Sequence, residues 1–127
     1  MTVEVDLFST LRSLVSDRVF PQTFEQPSGA LPAWPAIRYT ITSTTPIEDI
    51  CGDGDDETSE ISVQIDGVDA TYSKMRALRL SIMESMRSFP TPARLSGSFD
   101  TFDVETKTHR AVLSYTVSGS SSEDSPP

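Results

Sequence analysis

Three segments of this chain alternate apolar and polar residues with a period of two. Ile37, Tyr39 and Ile41 alternate with Arg38, Thr40 and Thr42. Ile61, Val63 and Ile65 alternate with Ser62, Gln64 and Asp66, and Ala111, Leu113, Tyr115 and Val117 with Arg110, Val112, Ser114 and Thr116. Strands patterned this way are half-buried: one face enters a core, and the other carries mostly polar groups. A sheet built from them needs a layer to cover its apolar face.

Two helical stripes can supply that layer. Over residues 3–19, Leu7, Phe8, Leu11, Leu14, Val15 and Val19 share one face, while Ser9, Arg12, Ser13, Ser16 and Asp17 share the other. Thr2 is the expected N-cap, Glu4 and Asp6 suit the first turn, and Pro21 marks the expected stop. Over residues 71–89, Thr71 caps a second helix whose main stripe is Met75, Leu78, Ile82, Met86 and Phe89, with Tyr72 on its edge. Pro90 and Pro92 end it. A further strand starts at Leu95 and takes in Phe99 and Phe102, whose odd spacing implies a bulge or bend near Asp100. Residues 103–107 read as a turn. The expected order is α-β-β-α-β-β. It defines an α+β fold, a mainly antiparallel β-sheet with two α-helices packed on one face. Residues 1–118 form a single domain, and 119–127, poor in apolar side chains, form a disordered tail.

Between the first helix and the first strand lies "FPQTFEQPSGALPAWPAIRYTI", residues 20–41, with four prolines and the sole tryptophan. Each X-Pro bond disfavours helix at the preceding residue. The first helix is too short to be a domain, so this piece is an ordered crossover rather than an interdomain linker. Trp34 anchors it, either on its own subunit's sheet or against a neighbour.

The formal net charge of −9 argues against a protein whose main task is gripping nucleic-acid phosphates or anionic lipid. A single cysteine, Cys51, permits no internal disulfide and suits a reducing compartment. No apolar run reaches membrane-spanning length, and the N-terminus lacks the pattern of a signal peptide.

No catalytic or metal constellation stands out. His109 is the sole histidine, beside Arg110, and no G-x-S-x-G surrounds any serine. Cys51 adjoins an acidic run that would raise its thiol pKa. Residues 48–60, "EDICGDGDDETSE", hold seven acids and no base. Asp53, Asp55 and Glu57 alternate as in a calcium loop. However, glycine is missing at the sixth position, Gln64 stands at the twelfth, and no helices flank the loop. A solvated hairpin tip is the simpler reading.

Residues 71–89 carry a second signal. Leu80 and Met83 lie off the main stripe, among Arg76 and Arg87. Apolar residues ringed by arginine match the composition of protein interfaces. Charge is also segregated, with an acidic loop and a basic helix. A closed ring, in which each subunit shows complementary faces to its neighbours, uses such an arrangement.

The order of elements also carries a resemblance. "VFPQ" follows the first helix and "LPAWPAIRYTI" follows the arm. "SVQIDGVD" leads directly into "ATYSKMRALRLSIMESM", and "THRAVLSYTVS" closes the fold. Across residues 5–118 the chain resembles the tail terminator, or tail completion, proteins of long-tailed bacteriophages, the lambda-like terminators and their relatives.

The resemblance implies structural work without enzymatic activity, cofactors or metals. It implies a homo-oligomeric ring, a hexamer, that caps the tail tube, stops its polymerisation and presents the head-joining surface. Its partners would be further copies of itself, the major tail tube protein and the head–tail connector or stopper protein. There would be no membrane partner and no specific nucleic-acid binding, the genome passing through the lumen. Its place would be the head-proximal end of the virion tail, assembled in the host cytoplasm. Trp34, Arg76, Leu80, Met83 and Arg87 are then candidate subunit or partner contacts. Asp53, Asp55, Asp56 and Glu57 are candidates for a lumen- or partner-facing acidic loop. The acidic tip at 52–60 and the C-terminal "SSSEDSPP" depart from the family pattern. The alternatives are a head-side completion or stopper protein, a minor tail protein, or a small protein- or peptide-binding domain that uses a sheet edge.

Overall fold

The computed structural model describes residues 3–24, 29, 31–46 and 59–119. Thr2, Cys51, the acidic residues Asp53, Asp55, Asp56 and Glu57, and the tail from 120 onward lie outside them. The described elements are α1 (Val3–Leu11), β1 (Val19–Pro21), β2 (Ala36–Pro46), β3 (Ser59–Asp69), α2 (Tyr72–Met86), β4 (Ala93–Asp103) and β5 (Thr108–Gly119). This is the expected α+β fold, with one strand more than the periodicity indicated.

The five strands form one sheet in the order β1-β2-β3-β5-β4. All neighbours are antiparallel except β1 and β2, which are parallel. The long β2–β3 pairing expected from the alternation is present, Ala36 facing Val68 and Pro46 facing Ser59. Ile37, Tyr39, Ile61, Val63, Ile65, Ala111, Leu113, Tyr115 and Val117 all turn to one face and join a single core. From α1 come Val3, Leu7 and Leu11, and from α2 and the turn after it Met75, Leu78, Ile82, Met86 and Phe89. Both helices cover that face.

Gly67 lets α2 lie close against the sheet. A Cβ there would stand 2.8 Å from the Ile82 Cδ1 and 3.2 Å from a Leu78 methyl. Thr71 caps α2 as expected, its hydroxyl accepting from the Lys74 amide at 3.3 Å.

The first helix is shorter than its stripe. It tightens into a 3-10 turn over Arg12–Val15, and Ser16 and Asp17 then take left-handed φ values of 52° and 69°. The Arg12 guanidinium donates to the Asp17 carboxylate at 2.8 and 3.2 Å and ties this reversal. Val19 therefore reaches the core from β1, not from a helix, and Pro21 ends that strand rather than the helix. The second correction concerns β4. Its register shifts between Leu95 and Gly97, not near Asp100. Phe99 faces Val112 and Phe102 faces His109 in an unbroken ladder, so their odd spacing simply sends them to opposite faces.

Tyr39 links α1 to the sheet, its hydroxyl donating to Glu4 Oε1 at 3.2 Å. Burial, and then the Glu4 carboxylate, push the Tyr39 phenol up to about 12. Burial also raises Tyr115. Both groups hold their protons longer in the folded chain than in the unfolded one. Their contribution is complete below the ordinary tyrosine pKa of about 10 and is lost as pH rises from there towards the folded value. Denaturant midpoints should therefore fall between pH 10 and 12 more steeply in the native sequence than in Tyr39→Phe. Equal slopes would show that the Tyr39 phenol is not buried in this way.

Candidate functional site

The helical stripe next to the core stripe is the part of the surface that the fold leaves uncovered. Tyr72, Arg76, Leu80, Met83 and Arg87 recur at steps of four, four, three and four, one line along α2 and its C-cap. Leu80 is 59% exposed, and Arg76 and Arg87 are exposed on either side of it. Met83 is half-buried and packs partly on the core. The four α2 residues singled out from the sequence thus share one stripe, but Met83 also has a folding role.

The side of the fold that this stripe overlooks is set by its neighbours. Arg79 donates to Ser98 Oγ at 3.1 Å and approaches Asp100 at 3.8 Å, both on β4. Met83, Met86 and Arg87 line an open groove with Ala93, Leu95 and Tyr115. At the other end Tyr72 meets His109 edge-on at 5.8 Å, and His109 meets Phe102 at 4.8 Å. The stripe therefore overhangs β4.

β4 is an edge of the sheet. Among the described residues no strand pairs with its outer side. It has 11 residues, and beyond the early register shift it runs in unbroken register from Gly97 to Asp103. Phe99 and Phe102 on it are 60% and 48% exposed. Edge strands are normally kept short or blocked by proline, because their free N–H and C=O groups invite pairing. β1, at the opposite edge, is of that guarded kind: it has three residues and ends at Pro21, which has no N–H to donate. The two sides of the sheet are thus unequal: β4 is open along its length, whereas β1 guards Ile37–Tyr39 of β2 and leaves the rest of that strand without a described partner on its outer side.

Trp34 lies elsewhere. The arm crosses between the parallel strands β1 and β2 and lays aromatic side chains on the sheet face opposite α2. Phe24 meets Trp34 edge-on at 5.4 Å and Phe20 at 6.2 Å, and these rings pack with Ala36 and Val68. The half-buried Trp34 therefore touches its own subunit, remote from the α2 stripe.

Beside this cluster sits a charged group that the strand pattern did not single out. Asp66 is 1% exposed, pairs with Arg38 and lies 4.0 Å from Arg110. The Gln64 amide donates to Asp66 at 3.0 Å, and Arg110 also reaches Asp103 at 3.5 Å. The guanidinium carbons of Arg38 and Arg110 stand 5.3 and 5.7 Å from the centre of the Phe24 ring. Two cations held by one buried carboxylate thus clamp the arm onto the sheet. The signal for it was polar: Arg38, Asp66 and Arg110 all occupy outward positions of three neighbouring strands.

Among the described residues no helix is long and apolar enough to cross a membrane, and no group of three or more His, Cys, Asp or Glu is placed to hold a metal. Compared with known families, the chain matches the tail completion protein gp17 family over residues 8–118. The chain belongs to that family. It is a structural component of a phage tail and works in contact with other tail or head components. No individual curated protein matches it.

Proposed function

We propose that this tail completion protein assembles into a ring, of six copies by resemblance to the lambda-like terminators, which caps the tail tube and ends its polymerisation. The ring then offers the surface that joins the filled head, at the head-proximal end of the tail. The observation that carries this reading is the one-sided surface. An open edge strand is overhung by an apolar and basic helix stripe, and the opposite sheet edge, partly covered by β1, has no such stripe described over it. Head-to-tail contacts that close into rings need two different faces on each subunit. The acidic balance suits a lumen through which DNA must pass without adhering, and no enzymatic role is proposed.

Gel filtration with light scattering, followed by negative-stain imaging of the protein with tail tubes, tests this. Rings, free or seated on tube ends, are expected. A protein that stays monomeric and does not bind tubes would instead fit the second reading, a peptide-binding module using the free β4 edge. Binding to isolated heads but not tubes would indicate a head-side stopper.

Leu80→Glu is the selective variant within this reading, because Leu80 is already wet. It should leave the unfolding midpoint within the range usual for surface changes, about 0.5 kcal/mol, yet lower the assembled fraction at a given concentration. An unchanged assembled fraction would remove α2 from the contact. Met83→Glu is less informative, since Met83 also packs on the core.

A further inference from the structure

The sheet edges limit what can meet β4 in a ring of identical copies. Pairing β4 with β4 of another copy is a two-fold contact and closes a dimer. Pairing β4 with the neighbour's β1 fails, because β1 offers three residues ending in proline. β1 covers only Ile37–Tyr39 of β2, so among the described residues the outer side of β2 from Thr40 onward is a second free edge. The charges favour a different occupant, a segment of the neighbour outside its sheet. Residues 72–94 hold five bases and one acid, and residues 48–57 hold six acids and no base.

Among the described residues the arginines of the α2 stripe make no tight ion pair. Arg87 is paired only loosely with Glu84, at 3.7 Å, and both side chains are largely exposed. Arg76 donates to the Tyr72 hydroxyl at 3.1 Å, a neutral partner. Exposed pairs such as Arg87–Glu84 contribute little and exchange readily. The N–H groups on the outer side of β4, which no described strand pairs, are further donors suited to carboxylates.

We infer that the α2 stripe and the free edge of β4 form the receiving half of a head-to-tail contact, and that the acidic segment 48–57 of a second copy docks on it. This rests on the ring reading above and names the partner of its open face. Carboxylates of Asp53, Asp55 and Asp56 from the neighbour meet Arg76 and Arg87, with Leu80 between these two arginines on the receiving face. Pro46 and Ser59, the described residues on either side of the segment, lie at the same end of the sheet as Ala93, and β3 and β5 stand between β2 and β4. Docking within one chain is therefore the competing outcome, and the experiment is designed to separate the two.

Two charge-reversed chains are prepared, Arg76→Glu/Arg87→Glu and Asp53→Lys/Asp55→Lys/Asp56→Lys. Their circular dichroism is compared with that of the native chain to confirm folding. Mass is measured by sedimentation velocity at one concentration, with and without tail tubes. Each variant alone is expected to be monomeric, since its two faces now carry like charges. An equimolar mixture is expected to recover species of oligomer mass, because each face then meets its opposite on the other chain. Docking within the chain gives no such recovery on mixing and overturns the inference. So do variants that keep the native oligomer mass on their own. A native chain that is monomeric both free and with tubes overturns the ring reading itself, and this inference with it.

Discussion

Replacing Ile82 by alanine is expected to lower the unfolding free energy by about 2–5 kcal/mol, the range for truncating a fully buried aliphatic side chain. Ile82 is fully buried, in the middle of the α2 core stripe. Its Cδ1 fills the space over Gly67, where helix and sheet approach closely. Truncation leaves a cavity between helix and sheet. Chemical denaturation followed by circular dichroism gives the number. A loss below about 1 kcal/mol would mean that α2 settles into the vacated space. The double variant Ile82→Ala/Gly67→Ala provides a further check. The new methyl occupies part of the cavity, so the double variant should be more stable than Ile82→Ala alone.

The second large effect comes from the other face of the sheet. Asp66→Ala removes the one buried carboxylate between Arg38 and Arg110 and leaves both guanidiniums facing the Phe24 ring without it. Breaking a buried pair by deleting one partner costs about 3–5 kcal/mol. The lower end applies here, because the arginine side chains keep 23% and 20% of their exposure and can turn towards water. The Nε atoms of both arginines are buried and lack hydrogen-bond partners, and Asp103, 3.5 Å from Arg110, remains as a carboxylate for that arginine alone. The change also has an optical readout. Trp34 packs on Phe24, and releasing the arginine clamp should shift the emission of this sole tryptophan to longer wavelength before global unfolding. An unaltered Trp34 spectrum together with native stability would show that the arm is held by its aromatic packing alone.

The two effects differ in how far they could be read from residue order. The Met75, Leu78, Ile82, Met86 and Phe89 stripe is a local 3.6-residue period, and all five side chains are buried as that period requires. The alternation in β2, β3 and β5 is equally local, and it assigned the core face of all three strands. The Arg38–Asp66–Arg110 group joins residues 28 and more positions apart, and it exists only because those strands are adjacent in a particular register. The same holds for β1. Three residues, Val19–Pro21, have too little length for a periodic signal, and their parallel partner lies beyond a crossover. The end of α1 was missed for a different reason. Ser16 and Asp17 adopt left-handed backbone without a glycine or proline to announce it, stabilised by the side-chain pair from Arg12 to Asp17.

The candidate surface divides in the same way. Leu80 and Met83 among arginines were visible as an off-stripe set, because a helix surface is determined by spacing alone. That this set overhangs an open edge strand could not be read from spacing, since strand order depends on which long-range pairings the whole chain satisfies together. Trp34 shows the same limit. Its sequence context marked it as an anchor, but its contact with its own Phe24 depends on where the arm crosses the sheet. By itself, then, the amino-acid order determined α2 and the long strands β2, β3 and β5 with the face each one buries, together with the family pattern of a tail completion protein, because these follow from local periodicity and residue type. Only the tertiary structure decided which edge stays open, which face the arm covers and which charges meet. Those follow from contacts between residues far apart in the chain, whose pairing no local period encodes.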